Sequence, residues 1–209
     1  MLSVDESLNF LKDNGMPIAK SVLVNSESEA VNQALKIGYP VVLKVVSSKL
    51  THKTDVGGVI TGLVDEVSVR RAYNQLINLS KSKGVSINGL LVQEQLSGIE
   101  LIIGVNKDPV FNQVILLGIG GVLVELIKDV SLRVCPVNKK EALRMINELK
   151  AKKLLAGYRG KEGVNTKKLA DLISKVSRLA VKKSIKEMDI NPLIMKGSKA
   201  LIVDARLEF

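Results

Sequence analysis

Helix signals alternate with short apolar runs in the first half of the chain, and this alternation constrains the fold more than any other feature. Ser3-Val4-Asp5-Glu6 has the spacing of a capping box, and Gly15 stands where that helix is expected to stop. Ser26-Glu27-Ser28-Glu29 repeats the box, with Gly38 as the second stop. Runs rich in β-branched residues lie next to both predicted helices, so the chain begins with a β-α-β rhythm.

Further elements follow in mixed order. Helices are predicted at 3–14, 27–37, 68–82, 139–151 and 166–183, and strands at 21–24, 41–46, 59–64, 89–95, 100–106, 114–118 and 132–137, with a C-terminal hairpin of 187–195 and 200–207. This order favours an α+β protein with two lobes. We expect residues 19–95 to form the smaller lobe, 96–209 the larger lobe, and the N-terminal helix in 1–18 to join the larger one.

The single cysteine and the single histidine exclude several kinds of site. Cys135 alone supports no intramolecular disulfide and no multi-cysteine metal site, and His52 alone excludes any site that needs two imidazoles. The apolar stretch 114–124 is too short to span a bilayer. Because the N-terminus has no basic and then apolar run, we expect a cytoplasmic protein without membrane contact.

Positive charge is concentrated in one segment. Residues 139–186 contain 15 basic and 4 acidic residues, whereas the rest of the chain contains 16 and 17. Such a field attracts polyanions or an acidic partner surface, although two solvated helix faces explain it as well. Tyr158 is the only aromatic residue in the segment, which disfavours a stacking platform and makes nucleic acid an unlikely main partner.

Two glycines and one lysine are candidates for contact with phosphate. Gly57 and Gly58 precede a predicted strand, so their N–H groups are able to approach a phosphate, and a tight turn into Val59 is the structural alternative. Lys44 interrupts an apolar strand, where a charge needs a partner such as a phosphate or the carboxylate of Glu94. The Walker and dinucleotide-binding patterns are absent, so a nucleotide site here is neither a P-loop nor a Rossmann site.

The predicted hairpin brings four polar side chains together. With residues 196–199 as a four-residue loop, Asn191 lies opposite Asp204, and Asp189 lies opposite Arg206. An amide oxygen beside a carboxylate suits Mg²⁺, which takes one or two protein oxygens and completes its shell with water and phosphate. A surface hairpin with one ion pair is the alternative, and a bulge at the proline of the first strand would break this register.

His52 lies in a polar loop ahead of the glycine pair. A neutral imidazole near pH 7 is able to attack phosphorus and carry a phosphoryl group, whereas a solvated side chain is the simpler interpretation.

Seven motifs occur in a fixed order along essentially the whole chain. They are Gly38-Tyr39-Pro40-Val41-Val42-Leu43-Lys44, His52-Lys53-Thr54-Asp55-Val56-Gly57-Gly58-Val59, Val92-Gln93-Glu94, Gly98-Ile99-Glu100-Leu101-Ile102-Ile103-Gly104-Val105, Gly118 to Glu125 with Lys128-Asp129-Val130, Gly157-Tyr158-Arg159-Gly160, and Glu187-Met188-Asp189-Ile190-Asn191-Pro192-Leu193. In this order they resemble the nucleotide-binding β subunit of ADP-forming acyl-CoA (acetyl-CoA) synthetases. That family has the ATP-grasp fold, with a nucleotide between two α/β lobes, and is related to the β subunit of succinyl-CoA synthetase.

The resemblance implies a role for several residues at the nucleotide. Lys44 matches a lysine that grips phosphates, with Gly57 and Gly58 nearby in the sequence. The segment Gln93, Glu94 and Gln95 matches the hinge that holds adenine through its backbone. Glu100 matches a carboxylate at the nucleotide and metal site, and Asn191 and Asp204 match the Mg²⁺ ligands. His52 matches a histidine that becomes phosphorylated. Arg133 and Arg159 are candidates for steadying phosphoryl oxygens.

The implied reaction is acyl-CoA + ADP + phosphate ⇌ carboxylate + CoA + ATP. The chain has no CoA-binding fingerprint and no second histidine, so the resemblance implies a CoA-binding α subunit that carries the first phosphohistidine, in an α₂β₂ assembly. ATP or ADP and Mg²⁺ are the implied cofactors. Two alternatives stay open: another ATP-grasp ligase that forms an acyl phosphate directly, and a basic nucleic-acid-binding module.

Overall fold

The computed structural model describes residues 1–47, 57–120, 129–158 and 161–209. The described chain divides into two compact units, a smaller unit of Ala19–Leu96 and a larger unit of Met1–Ile18 with Ser97–Phe209. Helices and antiparallel sheets occur in both units, which confirms the α+β class.

The described elements follow in chain order. They are α1 Val4–Asp13, β1 Ser21–Val24, α2 Glu27–Ile37, β2 Val41–Val46, β3 Val59–Leu63, α3 Glu66–Ser82, β4 Gly89–Glu94, β5 Ile99–Asp108, β6 Asn112–Ile119, β7 Val130–Val134, α4 Lys139–Glu148, α5 Lys152–Leu155, β8 Gly157–Tyr158, β9 Lys161–Glu162, α6 Thr166–Lys182, β10 Glu187–Lys196, β11 Lys199–Ile202 and β12 Ala205–Glu208.

The smaller unit is a four-stranded antiparallel sheet with the order β1-β4-β2-β3. Both of its helices begin at side-chain caps, because Ser26 accepts a hydrogen bond from the Glu29 N–H and Asp65 accepts one from the Ser68 N–H. Helices α2 and α3 pack on one face of the sheet around a buried cluster that includes Leu43. Because successive side chains of a strand point to opposite faces, every second residue of these strands lies on the face of the sheet away from α2 and α3.

The larger unit has a sheet with the order β11-β10-β5-β6-β7, in which β12 also pairs with β10. Helix α6 packs against β5 and β6, and α4 packs against α6. Residues near the N-terminus lie along the edge formed by β11 and β12: the Leu2 N–H donates to the Leu207 carbonyl at 2.8 Å, and the Ile202 N–H donates to the Pro17 carbonyl at 2.8 Å. The first residues are thereby tied to the last ones.

Five local features differ from the sequence predictions. Strand β7 begins and ends earlier than predicted, the predicted strand 200–207 is split into β11 and β12, and the pair β8–β9 and helix α5 were not predicted. Helix α4 ends at Glu148 because buried Asp129 accepts hydrogen bonds from the N–H groups of Lys150 and Ala151, both at 2.7 Å. A contact that is remote in sequence thus ends this helix early. Within the described ranges, every helix is too short or too polar to cross a membrane.

Candidate functional site

The C-terminal hairpin has the predicted register. Asp189 lies opposite Arg206, as expected. The pairing continues to Lys196 opposite Lys199, so the turn has two residues and the prediction of a four-residue loop was wrong. The register is unaffected, because the strands are extended towards the same turn by a single further pair, Lys196 with Lys199.

Asn191 and Asp204 face each other where regular pairing is interrupted between β11 and β12. The Asn191 N–H donates to the Asp204 carbonyl at 3.1 Å, and the Val203 N–H donates to the Pro192 carbonyl at 3.0 Å. The predicted opposition of Asn191 and Asp204 is thereby confirmed for the backbone. Their role as Mg²⁺ ligands stays a prediction.

Pro192 produces a bulge between β10 and β5. The predicted register between the two arms of the hairpin is not affected by it. Against β5, Ile190 lies opposite Ile103 whereas Leu193 lies opposite Leu101, so one extra residue is accommodated in β10. The pairs of the hairpin before and after Asn191 and Pro192 keep one and the same register. Bulges of this kind re-aim side chains and are common next to active sites.

Asp189 is half-buried and lies opposite Arg206. Burial raises the pKa of its carboxyl above the usual range, Arg206 opposes this increase, and the charges of Asp204 and Glu187 add to it. These groups therefore lie near one another. The sequence placed Asp189 opposite Arg206, and the structure confirms this placement.

Glu100 projects from the same face of the sheet as Asp189. Along β5, Leu101 and Ile103 are buried, whereas Glu100 is exposed. Asp189 lies opposite Gly104, which has the same parity as Glu100. The structure therefore places Glu100 and Asp189 on the same face of the sheet.

The donor set of this face suits Mg²⁺. Among residues that the structure describes, no group of three or more His, Cys, Asp or Glu side chains forms a dedicated metal cage. Asn191 and Asp204 offer an amide oxygen and a carboxylate. This is the small number of protein oxygens that Mg²⁺ uses when phosphates and water fill the rest of its octahedron.

In the smaller unit, Lys44 is buried on the face of the sheet away from α2 and α3. It is 6% exposed, and Leu43 and Val45 beside it belong to the core under the helices. Glu94 lies opposite Val41, which has the parity of Leu43, so alternation places Glu94 and Lys44 on opposite faces. Of the two partners considered for Lys44, this register disfavours Glu94.

The predicted hinge is held by hydrogen bonds. The N–H groups of Glu94 and Gln95 donate to the carbonyls of Lys20 and Pro40, at 2.9 and 3.1 Å. The Glu94 and Gln95 side chains accept from the N–H groups of Lys20 and Gly62, at 2.8 and 2.6 Å. A nucleotide base bound here therefore has to hydrogen-bond to backbone carbonyl oxygens of this segment, or to an N–H group other than those of Glu94 and Gln95.

Gln93 and the glycine pair have different surroundings. Gln93 is fully buried opposite Val42, on the face of the sheet that carries Lys44. The Gly58 carbonyl accepts a hydrogen bond of 2.9 Å from Val45, so this glycine extends the pairing of β3 with β2. Gly57 has a φ of 75° and lies in the turn before β3. A role for the pair at phosphate stays a prediction.

Arg133 is engaged inside the larger unit. Its guanidinium donates to Glu141 at 2.6 Å, to Glu148, and to the Leu132 carbonyl at 2.7 Å. These bonds hold the pKa values of Glu141 and Glu148 below their usual range. The geometry gives Arg133 the role of tying α4 to β7 and does not favour its predicted contact with phosphate.

His52 and Arg159 lie outside the described residues. The basic segment is described in most of its length. Exposed lysines recur every seven residues along α6 at Lys168, Lys175 and Lys182 and so share one helix face. Asp171 on the same helix pairs with Lys139 at 2.6 Å, and Lys175 and Lys168 also help to lower the pKa of its carboxyl, so this basic face includes one acidic group.

Three comparisons with known proteins agree with this geometry. A family model described as an ATP-grasp domain matches residues 1–209. The β subunit of ADP-forming acetate–CoA ligase I from Pyrococcus furiosus is 40% identical over 206 residues, which cover 97% of this chain and 89% of the relative. A 4-hydroxybutyrate–CoA ligase (ADP-forming) from Nitrosopumilus maritimus is 42% identical over 209 residues, and the chain spans 30% of that relative's length.

Solved structures of one further protein are similar over almost the whole chain. Acetyl-coenzyme A synthetase 1 of Ca. Korarchaeum cryptofilum, in complex with coenzyme A, Ca-AMPCP and HgCl⁺, has a TM-score of 0.94 and 44% identity and covers 99% of this chain and 92% of that one. A second structure of it contains coenzyme A and Mg-AMPPCP, with a phosphohistidine segment pointing towards the nucleotide binding site. That match has a TM-score of 0.85 and 42% identity and covers 98% of this chain and 90% of the other.

Proposed function

The chain belongs to the ATP-grasp family, among the β subunits of ADP-forming acyl-CoA ligases, and from this membership we propose that it is the nucleotide-binding part of such a ligase. The reaction is acyl-CoA + ADP + phosphate ⇌ carboxylate + CoA + ATP. The observation that carries the proposal is the match to P. furiosus β subunits over nearly the full length of both chains. A cytoplasmic location, where CoA and nucleotides are available, is part of this proposal.

The partner is a CoA-binding α subunit, in an α₂β₂ assembly. Two relatives from P. furiosus are β subunits of ADP-forming acetate–CoA ligases, which supports a second kind of subunit. The sequence contains one histidine, whereas the proposed relay needs a first phosphohistidine near the acyl-CoA and a second one near ADP. We assign the first histidine and the acyl group to the partner.

A metal ion and a lysine handle the charge of the nucleotide phosphates in this proposal. When bound, Mg²⁺ neutralises charge on the phosphates and on the phosphoryl group in transfer. Asn191 and Asp204 would hold it through one amide and one carboxylate oxygen, and Glu100 would contribute a further carboxylate. Lys44 supplies a positive charge to the phosphates from a buried strand, where the low dielectric strengthens the interaction.

The nucleotide base is held at residues 93–95. Since the N–H groups of Glu94 and Gln95 are engaged within the sheet, we assign base recognition to carbonyl oxygens of this segment and to the N–H of Leu96. The rigid hydrogen bonding of the segment keeps these groups in place before the nucleotide arrives, which lowers the entropic cost of binding.

His52 relays the phosphoryl group. A ring nitrogen of neutral His52 attacks the phosphorus of the partner's phosphohistidine, and the P–N bond to that histidine breaks as the new one forms. An oxygen of the ADP β-phosphate then attacks the phosphorus on His52, which releases neutral His52 and ATP. A phosphohistidine segment named in the Korarchaeum structures supports this assignment.

Reconstitution tests the proposal. The chain is mixed with a candidate CoA-binding partner, acetyl-CoA, ADP, phosphate and Mg²⁺, and ATP is measured. We expect ATP only when both chains are present. ATP-dependent ligation of a carboxylate by this chain alone would instead identify a ligase that forms an acyl phosphate directly.

A further inference from the structure

We propose that Gly120 is a positioning residue for Glu100, because its missing side chain lets β6 approach β5 closely beside the Glu100 carboxylate. The inference rests on the proposed function, since it concerns the part of the nucleotide and Mg²⁺ site that Glu100 supplies. In the sequence, Gly120 lies within the motif Gly118 to Glu125, which gave it no role of its own.

Gly120 lies directly across from Glu100. The regular pairing of β5 with β6 ends at Leu101 opposite Ile119. One residue further, the Gly120 N–H donates to the Glu100 carbonyl at 2.7 Å, which continues the same register. Residues that face each other across an antiparallel pair share a face of the sheet, so a side chain at position 120 would stand beside that of Glu100.

The two strands are too close at this point for any other residue. A Cβ at Gly120 would lie 2.9 Å from the Glu100 carbonyl carbon, 3.0 Å from the Glu100 Cβ and 3.0 Å from the Leu101 nitrogen. Opposed Cβ atoms are ordinarily about 4.5–5.5 Å apart. Because the neighbouring atoms belong to the backbone or to Cβ, rotation of a side chain does not relieve the overlap.

Strand β10 confines Glu100 from its other side. Glu100 lies opposite Ile194 of that strand. A Cβ at Gly98, the residue before β5, would overlap the Met195 carbonyl oxygen, so the chain also lies close against β10 two residues before Glu100. Since β10 leaves little room, an alanine at position 120 has to displace Glu100 or separate β5 from β6.

A small displacement of this carboxylate has a measurable effect. A misplacement of about 1 Å lowers the effectiveness of a preorganised group by up to about a hundredfold. For Gly120→Ala we expect the Mg²⁺ concentration that gives half-maximal ADP binding to rise by about tenfold.

A double-mutant cycle tests whether Gly120 acts through Glu100. Calorimetry of ADP binding to the full chain at graded Mg²⁺ is compared for wild type, Gly120→Ala, Glu100→Gln and the double variant. If each single change raises the Mg²⁺ requirement by about tenfold, we expect the double variant to show about the same tenfold rise, because contacting residues are not additive. A rise of about a hundredfold in the double variant would overturn the inference, as would an unchanged Gly120→Ala protein.

Gly118→Ala is the matched control. It lies on the same strand, and its added Cβ would meet a Val130 methyl group at 3.1 Å, on the side towards β7 and away from Glu100. We expect a comparable loss of thermal stability with the Mg²⁺ requirement unchanged. A Mg²⁺ requirement raised as much as in Gly120→Ala would show general disruption of β6 and would overturn the inference.

Glu100→Asp covers the case in which Gly120→Ala does not fold. Shortening the side chain withdraws the carboxylate without touching the strand contact, so it has to raise the Mg²⁺ requirement as Gly120→Ala is expected to. Wild-type behaviour of Glu100→Asp would overturn the inference. A wild-type Mg²⁺ requirement in Glu100→Gln would exclude Glu100 from the proposed site. Additive effects of Gly120→Ala and Glu100→Gln in the double variant would overturn only the role of Gly120.

Discussion

The backbone N–H of Asn191 donates to the carbonyl oxygen of Asp204 at the point where the return strand of the hairpin divides into β11 and β12. Regular alternation stops there, and the bulge against β5 occurs at the same place. The local irregularity therefore gives two oxygen-bearing side chains an arrangement that a continuous ladder would not provide.

Asp204→Asn tests the metal role of this pair. The change keeps the size of the side chain and removes its negative charge, so we expect the Mg²⁺ requirement for ADP binding to rise by about tenfold or more. The measurement is ADP binding at graded Mg²⁺. Glu208→Gln on β12 is the matched control, and equal behaviour of the two variants would contradict the assignment of Asp204.

Lys44→Met tests the phosphate contact. Methionine fills a similar volume in the buried strand, so the fold is expected to survive, while affinity for ADP falls by about ten- to a hundredfold through loss of a charged hydrogen bond. The dissociation constant is measured by calorimetry. Lys36→Met, on the exposed surface of α2, is expected to bind as wild type, and unchanged affinity in Lys44→Met would exclude the contact.

Arg133→Gln distinguishes an internal tie from a phosphate contact. Because Arg133 holds the pKa values of Glu141 and Glu148 below 4.5, the stability that these pairs contribute is present above that pH and is lost as pH falls through the lowered values. We expect the variant to melt at a lower temperature at pH 7 and the difference from wild type to shrink towards pH 3. Nucleotide affinity should not change, and a marked loss of affinity would restore the phosphate role.

Asp129→Ala tests the contact that ends α4. Two backbone N–H groups lose a charged acceptor in a buried position, so we expect a loss of about 2–3 kcal/mol in the free energy of unfolding. Denaturant titration measures it. Asp129→Asn retains one acceptor and should lose less, and identical losses in the two variants would count against this explanation.

Charge reversal tests the basic face of α6. Lys168, Lys175 and Lys182 lie on one exposed face, so changing all three to glutamate is expected to slow association with the α subunit by about tenfold at low salt. The rates are measured by surface binding at two salt concentrations. The control reverses Lys12, Lys36 and Lys81, and equal effects of both sets would indicate net charge and not a docking face.

Local sequence signals predicted most elements because local interactions decide them. The cap at Ser26 and the glycine stop at Gly38 set the ends of α2 with no help from the rest of the chain. The register of the hairpin was predictable for the same reason, because its turn is short. By contrast, α4 ends early through a bond to Asp129, some twenty residues away, and no helix signal records such a contact.

The site was predictable in part. The hairpin placed Asn191 opposite Asp204, but the approach of Gly120 to Glu100 depends on how closely two strands pack, which a sequence pattern does not encode. The engagement of Arg133 by two carboxylates from α4 depends equally on tertiary packing. The resemblance to the family supplied the roles of Lys44 and His52 that the residues alone left open.

In the proposed mechanism, His52 carries a phosphoryl group between the partner subunit and ADP. The most direct test of this relay incubates this chain with the candidate α subunit, Mg²⁺ and γ-labelled ATP, for wild type and for His52→Asn, and then measures acid-labile, base-stable phosphate on the 209-residue chain. We expect label on the wild type and none on the variant, with ADP binding unchanged in both. Absence of label on the wild-type chain, while it still binds nucleotide and supports ATP formation, would contradict the relay.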